Sequence, residues 1–595
     1  LVLLTDTLTP MRVMDWIATK DPDYLALRRA LRAAIVAPIC LAITIEIVGD
    51  PAMATFSVFA ALGLLILVDI TGPLRQRLLN YLALAATSAV LVCLATLFSV
   101  NIWTATISMA VAGFAIAFVG VLSSVLAAST TTLLLAWILP VSTTGSAADV
   151  PARVAGWGLG SALALLALAI IWPEDDRDSL RLKAGEACRG IAARLRGQAA
   201  AAVHSSGADA RAEDADTAAA ARASIEALRQ SFRRTAYRPT TLTTSGRAMV
   251  RMVDELDWVS IIASEYGLAV KRAAAVSEVA AVWHAAADVL DRCADVLGQP
   301  SDIDTRPARA ALDAAMERLH AAMDVVRHSD TVRRQLRLTS CEPSFRGQEL
   351  GYAARQVGGN VQLMGAAEAR SFIDRLLGRM PEAHGAWYVA RFRARTHLNV
   401  RSAWLHNSLR SAAALAVAVL VANLLQVQHS FWVVFGVLSV LRSTALNTGQ
   451  NALRGLLGTA LGFVVGGTIL VAIGTNTVVL WVILPIALLL AGFAPAAISF
   501  LAGQAAFTVV VVILFNIIQP IGWKVGLVRI EDVAIGCLVS LAVGLVFWPR
   551  GANAALGFAL GAAYRSSSHY LSRVVAANLT GDRGSATAEQ AAALA

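Results

Sequence analysis

Charge is scarce in this sequence. Asp, Glu, Lys and Arg make up 15% of its 595 residues, against about 25% in an average globular protein. Hydrophobic residues make up 57%, and the mean hydropathy is +0.62. So little charge does not cover the surface of a soluble chain of this size, and the composition points to a membrane protein. Cysteine is sparse as well. The six (Cys40, Cys93, Cys188, Cys293, Cys341 and Cys537) lie far apart, with neither CxxC nor Cys/His metal spacing, so no disulfide framework and no zinc site are expected. A Walker A phosphate loop, an HExxH helix and a histidine cluster are all missing, which leaves no motif for ATP-driven transport, metal binding or enzymatic catalysis. No cofactor is expected. The net charge of +9 would suggest nucleic acid in a soluble protein; here it is assigned to arginine-rich cytoplasmic faces, and no nucleic-acid partner is expected. Residues 1–24 show no basic-then-apolar signal pattern.

What the sequence does contain, it contains twice. Arg153 and Arg529 each open an apolar stretch, each is followed seven residues later by a glycine (Gly160, Gly536), and both stretches close 19 residues on at Trp-Pro (Trp172-Pro173, Trp548-Pro549). These pairs stand 376 positions apart, and Arg32 and Arg410 pair upstream at 378. A register held over so long a stretch predicts two related bundles in one chain, with the path between them as the first place to look for function.

The expected fold class is an all-α membrane protein, with two repeated six-helix bundles, about 12 spans in all, flanking an α-helical cytoplasmic domain. The boundaries follow composition: a cytoplasmic segment 1–24, a first repeat 25–173, a helical domain 174–404, a second repeat 405–549 and a cytoplasmic tail 550–595. Each apolar block breaks into six stretches of roughly 17–25 residues, long enough to cross a bilayer as helices. Arginines set the orientation. Arg28, Arg29, Arg32, Arg75 and Arg77 in the first repeat, and Arg401, Arg410, Arg442 and Arg454 in the second, fall on one side; the positive-inside rule puts both termini and the insert in the cytoplasm. An even number of spans gives both halves one topology, related by an axis along the membrane normal. In the insert, Ala219 to Arg234 and Ala308 to Leu336 carry helix-favouring residues at helical spacing, whereas Ala199 to Asp216 reads as a flexible loop and the end beyond Asn578 as disordered.

Charged residues beside the spans are the candidate site, because burying one in lipid costs several kcal/mol. Arg529, Glu531 and Asp532 open the last span; Arg529 and Asp532, three apart, share a helix face and can pair. The pair is either an ion pair fixing the helix end or a proton-responsive carboxylate beside an anion-binding guanidinium. The first repeat keeps Arg153 but has Ala155 and Gly156 at the acidic positions, so any acidic function is asymmetric. Arg442 and Arg454 are either cytoplasmic anchors or a funnel for an anionic substrate, with Asp69 in the comparable loop of the first half. Phe431, Trp432, Phe435 and Trp481 are placed to receive an apolar ring, or, for the tryptophans, to sit in an interface belt. Gly458, Gly462 and Gly466 recur every four residues, and Gly156, Gly158 and Gly160 every two. Both are close-packing signals; the second lacks the preceding strand that a nucleotide turn needs.

The stretches Arg454-x-x-x-Gly458-Thr459-x-x-Gly462 and Arg529-x-Glu531-Asp532-x-x-x-Gly536, with the closing Trp548-Pro549, resemble the fusaric acid resistance protein family, which includes bacterial aromatic carboxylic acid exporters. The motifs are clear in the second half and degraded in the first. The resemblance implies efflux of weak organic acids across the inner membrane of a Gram-negative bacterium, sometimes with a periplasmic adaptor protein. It also implies a distant likeness to plant aluminium-activated malate channels, six-span subunits that dimerise. The expected function is therefore export of a small organic, aromatic carboxylate, with Arg442, Arg454, Arg529, Arg153, Phe431 and Trp432 as substrate-binding candidates, and Glu531, Asp532 and Asp69 as proton-coupling or ion-pair candidates. The alternatives are a passive anion channel and a membrane scaffold that acts through its cytoplasmic domain. Membrane lipid is the one partner that composition itself demands; substrate identity and oligomeric state are not set by the sequence.

Overall fold

A computed structural model describes residues 16–580 apart from 18, 22–23, 71–73, 173–175, 204–207, 235–243, 267–274, 299–303, 329–337, 369–373, 375–385, 400–401, 428–429, 441–444, 475, 520–521 and 548–551. No strand occurs among the described residues. The first apolar block forms α1 (Leu25–Ala42), α2 (Pro51–Leu65), α3 (Leu74–Phe98), α4 (Ile102–Val119), α5 (Ser124–Val141) and α6 (Val150–Ile170). The insert forms α7 (Asp176–Val203), α8 (Ala208–Arg234), α9 (Thr244–Tyr266), α10 (Val276–Gly298), α11 (Arg306–His328), α12 (Leu338–Glu368) and α13 (Ala386–His397). The second block forms α14 (Ala403–Leu424), α15 (Ser430–Val440), α16 (Ala445–Ile473), α17 (Thr477–Ala497), α18 (Phe500–Ile518) and α19 (Lys524–Val546), and α20 (Ala552–Thr580) follows.

Local chemistry sets the helix ends. Asp50 accepts hydrogen bonds from the backbone N–H groups of Ala52 (2.8 Å) and Met53 (3.1 Å), with Pro51 in the first turn of α2. Ser123 caps α5 and Ser499 caps α18 in the same way, again 376 positions apart. Asn101 and Asn476 cap α4 and α17.

Among the described residues, nine helices are long and apolar enough to cross a membrane, rather than twelve. Two of the expected spans are short. α2 has 15 residues and α15 has 11, about 22 and 16 Å of helix against a hydrocarbon core of about 30 Å. Both are apolar and sit inside the bundle, and α2 begins where Asp50 caps it. α19 is long enough, but Arg529, Glu531 and Asp532 crowd its first half. The break between α17 and α18 falls at Ile498-Ser499, because α17 runs on through Pro495.

Close approaches explain the glycines. A Cβ on Gly160 would strike the Ser57 carbonyl of α2, and one on Gly536 would lie 2.5 Å from the Val433 carbonyl of α15; Ser57 and Val433 are again 376 apart. Gly458 and Gly462 meet the Leu501 and Ala505 carbonyls of α18, and Gly466 meets Val512, so the four-residue stripe is the α16–α18 seam. Between the blocks, α1 packs on α17 and α14 packs on α4, each block's first helix against the other's fourth. One apolar core runs through both blocks.

The insert has its own core, built by α7–α12 around Trp283 and Leu290. Arg196 of α7 ties down α10 by ion pairs to Asp288 (2.6 Å) and Asp291 (2.5 Å), which hold its guanidinium above the usual arginine range. The loop expected over Ala199 to Asp216 is largely helix: α7 continues to Val203 and α8 begins at Ala208. Alanine's helix propensity outweighs the Ser, Gly and Asp there. Residues 550–595 likewise contain a helix, α20; 581–595 lie outside the described residues.

These contacts predict that Gly160→Ala and Gly536→Ala each destabilise the protein by about 1–3 kcal/mol through overpacking, read as a lower melting temperature in detergent. Gly158→Ala, with nothing within 4 Å of its Cβ, should leave it unchanged.

Candidate functional site

The second block buries a cation. Arg529, in the second turn of α19, is 1% exposed. Its guanidinium carbon lies 4.3 Å from the Trp432 ring centroid and 5.0 Å from that of Phe507, so rings from α15 and α18 face it. Its Nε donates to Thr508 Oγ1 at 3.2 Å, and the Thr508 hydroxyl donates to the Gln504 carbonyl. Its Nη1 is buried with no hydrogen-bond partner. Asp532, one turn further on, is fully buried, and neither carboxylate oxygen has a hydrogen-bond partner. The expected Arg529–Asp532 bridge therefore does not form. The two share a helix face, but the guanidinium turns onto Trp432, Phe507 and Thr508.

Around them lies an aromatic cluster. Phe431 and Trp432 have centroids 4.8 Å apart, Phe431 and Phe435 5.6 Å, Trp432 and Phe507 6.2 Å, and Trp432 and Phe515 5.9 Å. The first block reaches in through Phe59 of α2, 5.0 Å from Phe431 and 5.9 Å from Trp432. The site thus lies where α2 meets α15. Trp432 is 3% exposed, which removes it from an interface belt.

The counterpart in the first block uses the same positions differently. Arg153 lies 5.5 Å from the ring of Phe56, which stands 376 positions before Trp432. Its Nη atoms, however, donate to the carbonyls of Pro140, Thr143 and Thr144 at 3.3 Å, closing the C-terminal end of α5. Thr132, counterpart of Thr508, donates to the Gly63 carbonyl at 2.7 Å and not toward the arginine. In the second block Asn516, at the position of Pro140, braces the loop itself: its side chain bonds the Gly522 N–H (2.7 Å) and carbonyl (3.2 Å). Arg529 is thereby released from capping. Where Asp532 stands, the first block has Gly156, whose Cβ position is 2.5 Å from the Met53 carbonyl.

The other sequence candidates lie elsewhere. Glu531 is exposed, whereas Asp532 is buried. Asp69 forms an ion pair with Arg29 at 2.7 Å, outside the cluster. Arg454 is an exposed residue of α16, and Arg442 lies outside the described residues. Phe507, Thr508, Phe515 and Phe59 were missed. The 376-residue register held the signal for part of this set, since it aligns Phe56 with Trp432, Phe59 with Phe435 and Thr132 with Thr508. Among the described residues no group of three His, Cys, Asp or Glu side chains could hold a metal ion.

Electrostatics predicts opposite outcomes for the two charges. Arg529→Ala should destabilise by on the order of 3 kcal/mol, because it empties the space between two rings and strands Asp532. Asp532→Asn, which keeps the volume and removes a buried carboxylate with no hydrogen-bond partner, should not lower the melting temperature in detergent.

No curated protein matches the chain. Residues 416–543, from within α14 to near the end of α19 in the block that holds the Arg529 site, match the model of the family described as fusaric acid resistance protein-like.

Proposed function

We propose that the protein is an inner-membrane exporter of organic, aromatic carboxylates, with its substrate path between two copies of a six-helix unit related by a pseudo-twofold axis, both termini and the helical insert being cytoplasmic. The observation that carries this reading is Arg529: a permanent cation, buried in the membrane part of the chain, faced by aromatic rings and with one N–H donor unused. Such a group suits a carboxylate on an aromatic ring, since guanidinium donors match carboxylate oxygens and the Trp432–Phe507–Phe431 cluster matches the ring. The reciprocal packing of α1 on α17 and α14 on α4 supports the pseudo-twofold reading. Asp532, buried within one turn of Arg529, is the proton-coupling candidate, and a periplasmic adaptor is an optional partner. The match of residues 416–543 to a family described as fusaric acid resistance protein-like supports transport over catalysis.

The test is uptake of a labelled hydroxybenzoate into proteoliposomes with and without an imposed pH gradient. Accumulation driven by the gradient is expected. Flux that only equilibrates would make the protein a passive anion channel. No flux, together with a cellular phenotype that survives Arg529→Gln but not removal of the insert, would make it a scaffold. In the transporter, Arg529→Gln should slow uptake roughly 10–100-fold, the worth of a charge-assisted hydrogen bond. Asp532→Asn should keep equilibrium exchange and lose gradient-driven accumulation; a variant that still accumulates substrate removes Asp532 from coupling.

A further inference from the structure

α20 is a helix of 29 residues that makes no extended packing with any other described helix. Between Ala552 and Thr580 it contains no aspartate or glutamate, and its charged residues are Arg565 and Arg573, with His569 between them. These three recur every four residues and therefore form one stripe. Leu560, Tyr564 and Leu571, at spacings of four and seven, form a stripe on the opposite side. All are in the open: Tyr564 is 76% exposed and Leu571 63%. A solvated helix does not present such a face, and a helix buried in a protein core does not carry unpaired arginines opposite it.

Connectivity and charge select the occupant. Only five residues separate α20 from the end of α19 at Val546, a reach of at most about 20 Å, so the helix begins close to the bilayer face at which α19 ends. Basic residues facing an apolar stripe, with no acidic residue on the helix, complement an anionic lipid surface and not a neutral or basic protein face. We propose that α20 lies flat on the membrane surface beside α19, with Leu560, Tyr564 and Leu571 at the headgroup–acyl boundary and Arg565 and Arg573 binding anionic headgroups. The tail is then a lipid-sensing arm attached directly to the helix that carries Arg529 and Asp532.

The full chain is placed in nanodiscs of phosphatidylcholine alone or of phosphatidylcholine with phosphatidylglycerol, carrying an environment-sensitive dye at a single exposed cysteine, Leu571→Cys or His569→Cys. In the anionic discs the dye at 571 should emit in an apolar environment and be quenched by lipid-borne quenchers, while the dye at 569, on the headgroup-binding stripe, emits in a polar environment and is quenched less. The preference for anionic discs should weaken with added salt and fall roughly fivefold for each of Arg565→Glu and Arg573→Glu. Both sites lie on an exposed helix outside the core, and monodisperse elution of each variant verifies folding. A dye at 571 that stays in water in both lipids overturns the proposal. So does an apolar signal that ignores lipid charge and appears only in discs holding two copies, which would assign the stripe to a second chain.

Discussion

A guanidinium does not give up its proton at any physiological pH, so a chain that buries one inside a membrane bundle must surround it with groups that stabilise a permanent cation. Arg529 shows what this demands. Two aromatic faces and one hydroxyl have to converge on it from different helices, Trp432 from α15, Phe507 and Thr508 from α18. Convergence in turn needs α15 to lie almost in contact with α19. Gly536 permits this by leaving no side chain between the helix and the Val433 carbonyl. The loop after α18 must also hold its shape without the arginine, and Asn516 holds it through Gly522.

The first block shows the same arginine under a different solution. Arg153 spends its donors on the carbonyls at the end of α5, and a helix terminus, with its partial negative charge, is a sufficient counterpart for it. No acidic residue is needed nearby, and Gly156 occupies the place of Asp532 so that α6 can close on α2. Two blocks that share caps, crossing points and an arginine therefore differ at the residues that decide whether the arginine is structural or available. The difference concentrates polar chemistry in the second block, the one that also carries the family match, while Phe59 makes the first block part of the wall.

Much of the fold was legible because membrane helices announce themselves by length and composition, and because several landmarks recur 376 positions apart. Arg153 and Arg529, Gly160 and Gly536 could be aligned by eye, and the close-packing role of the Gly458–Gly462–Gly466 stripe followed from spacing alone. Span lengths were less legible. α2 and α15 are short and buried by their neighbours, and hydropathy does not separate a buried short helix from a spanning one. The Ala-rich stretch before Asp216 misled for a related reason, since its polar residues were weighed above alanine's own preference for helix.

Composition by itself determined that the chain belongs in a membrane, that it is helical there, and that Arg529 and Asp532 were costly enough to matter; these follow from the free energy of transferring residues out of water, which is a property of each residue type. Only the tertiary structure decided what those residues meet. Spacing of three suggested that Arg529 and Asp532 bond to each other, yet a long arginine side chain reaches several partners, and the rings of α15 and α18 drew it away from its neighbour in sequence. Which partner wins depends on helices brought together from distant parts of the chain, and no local pattern carries that information.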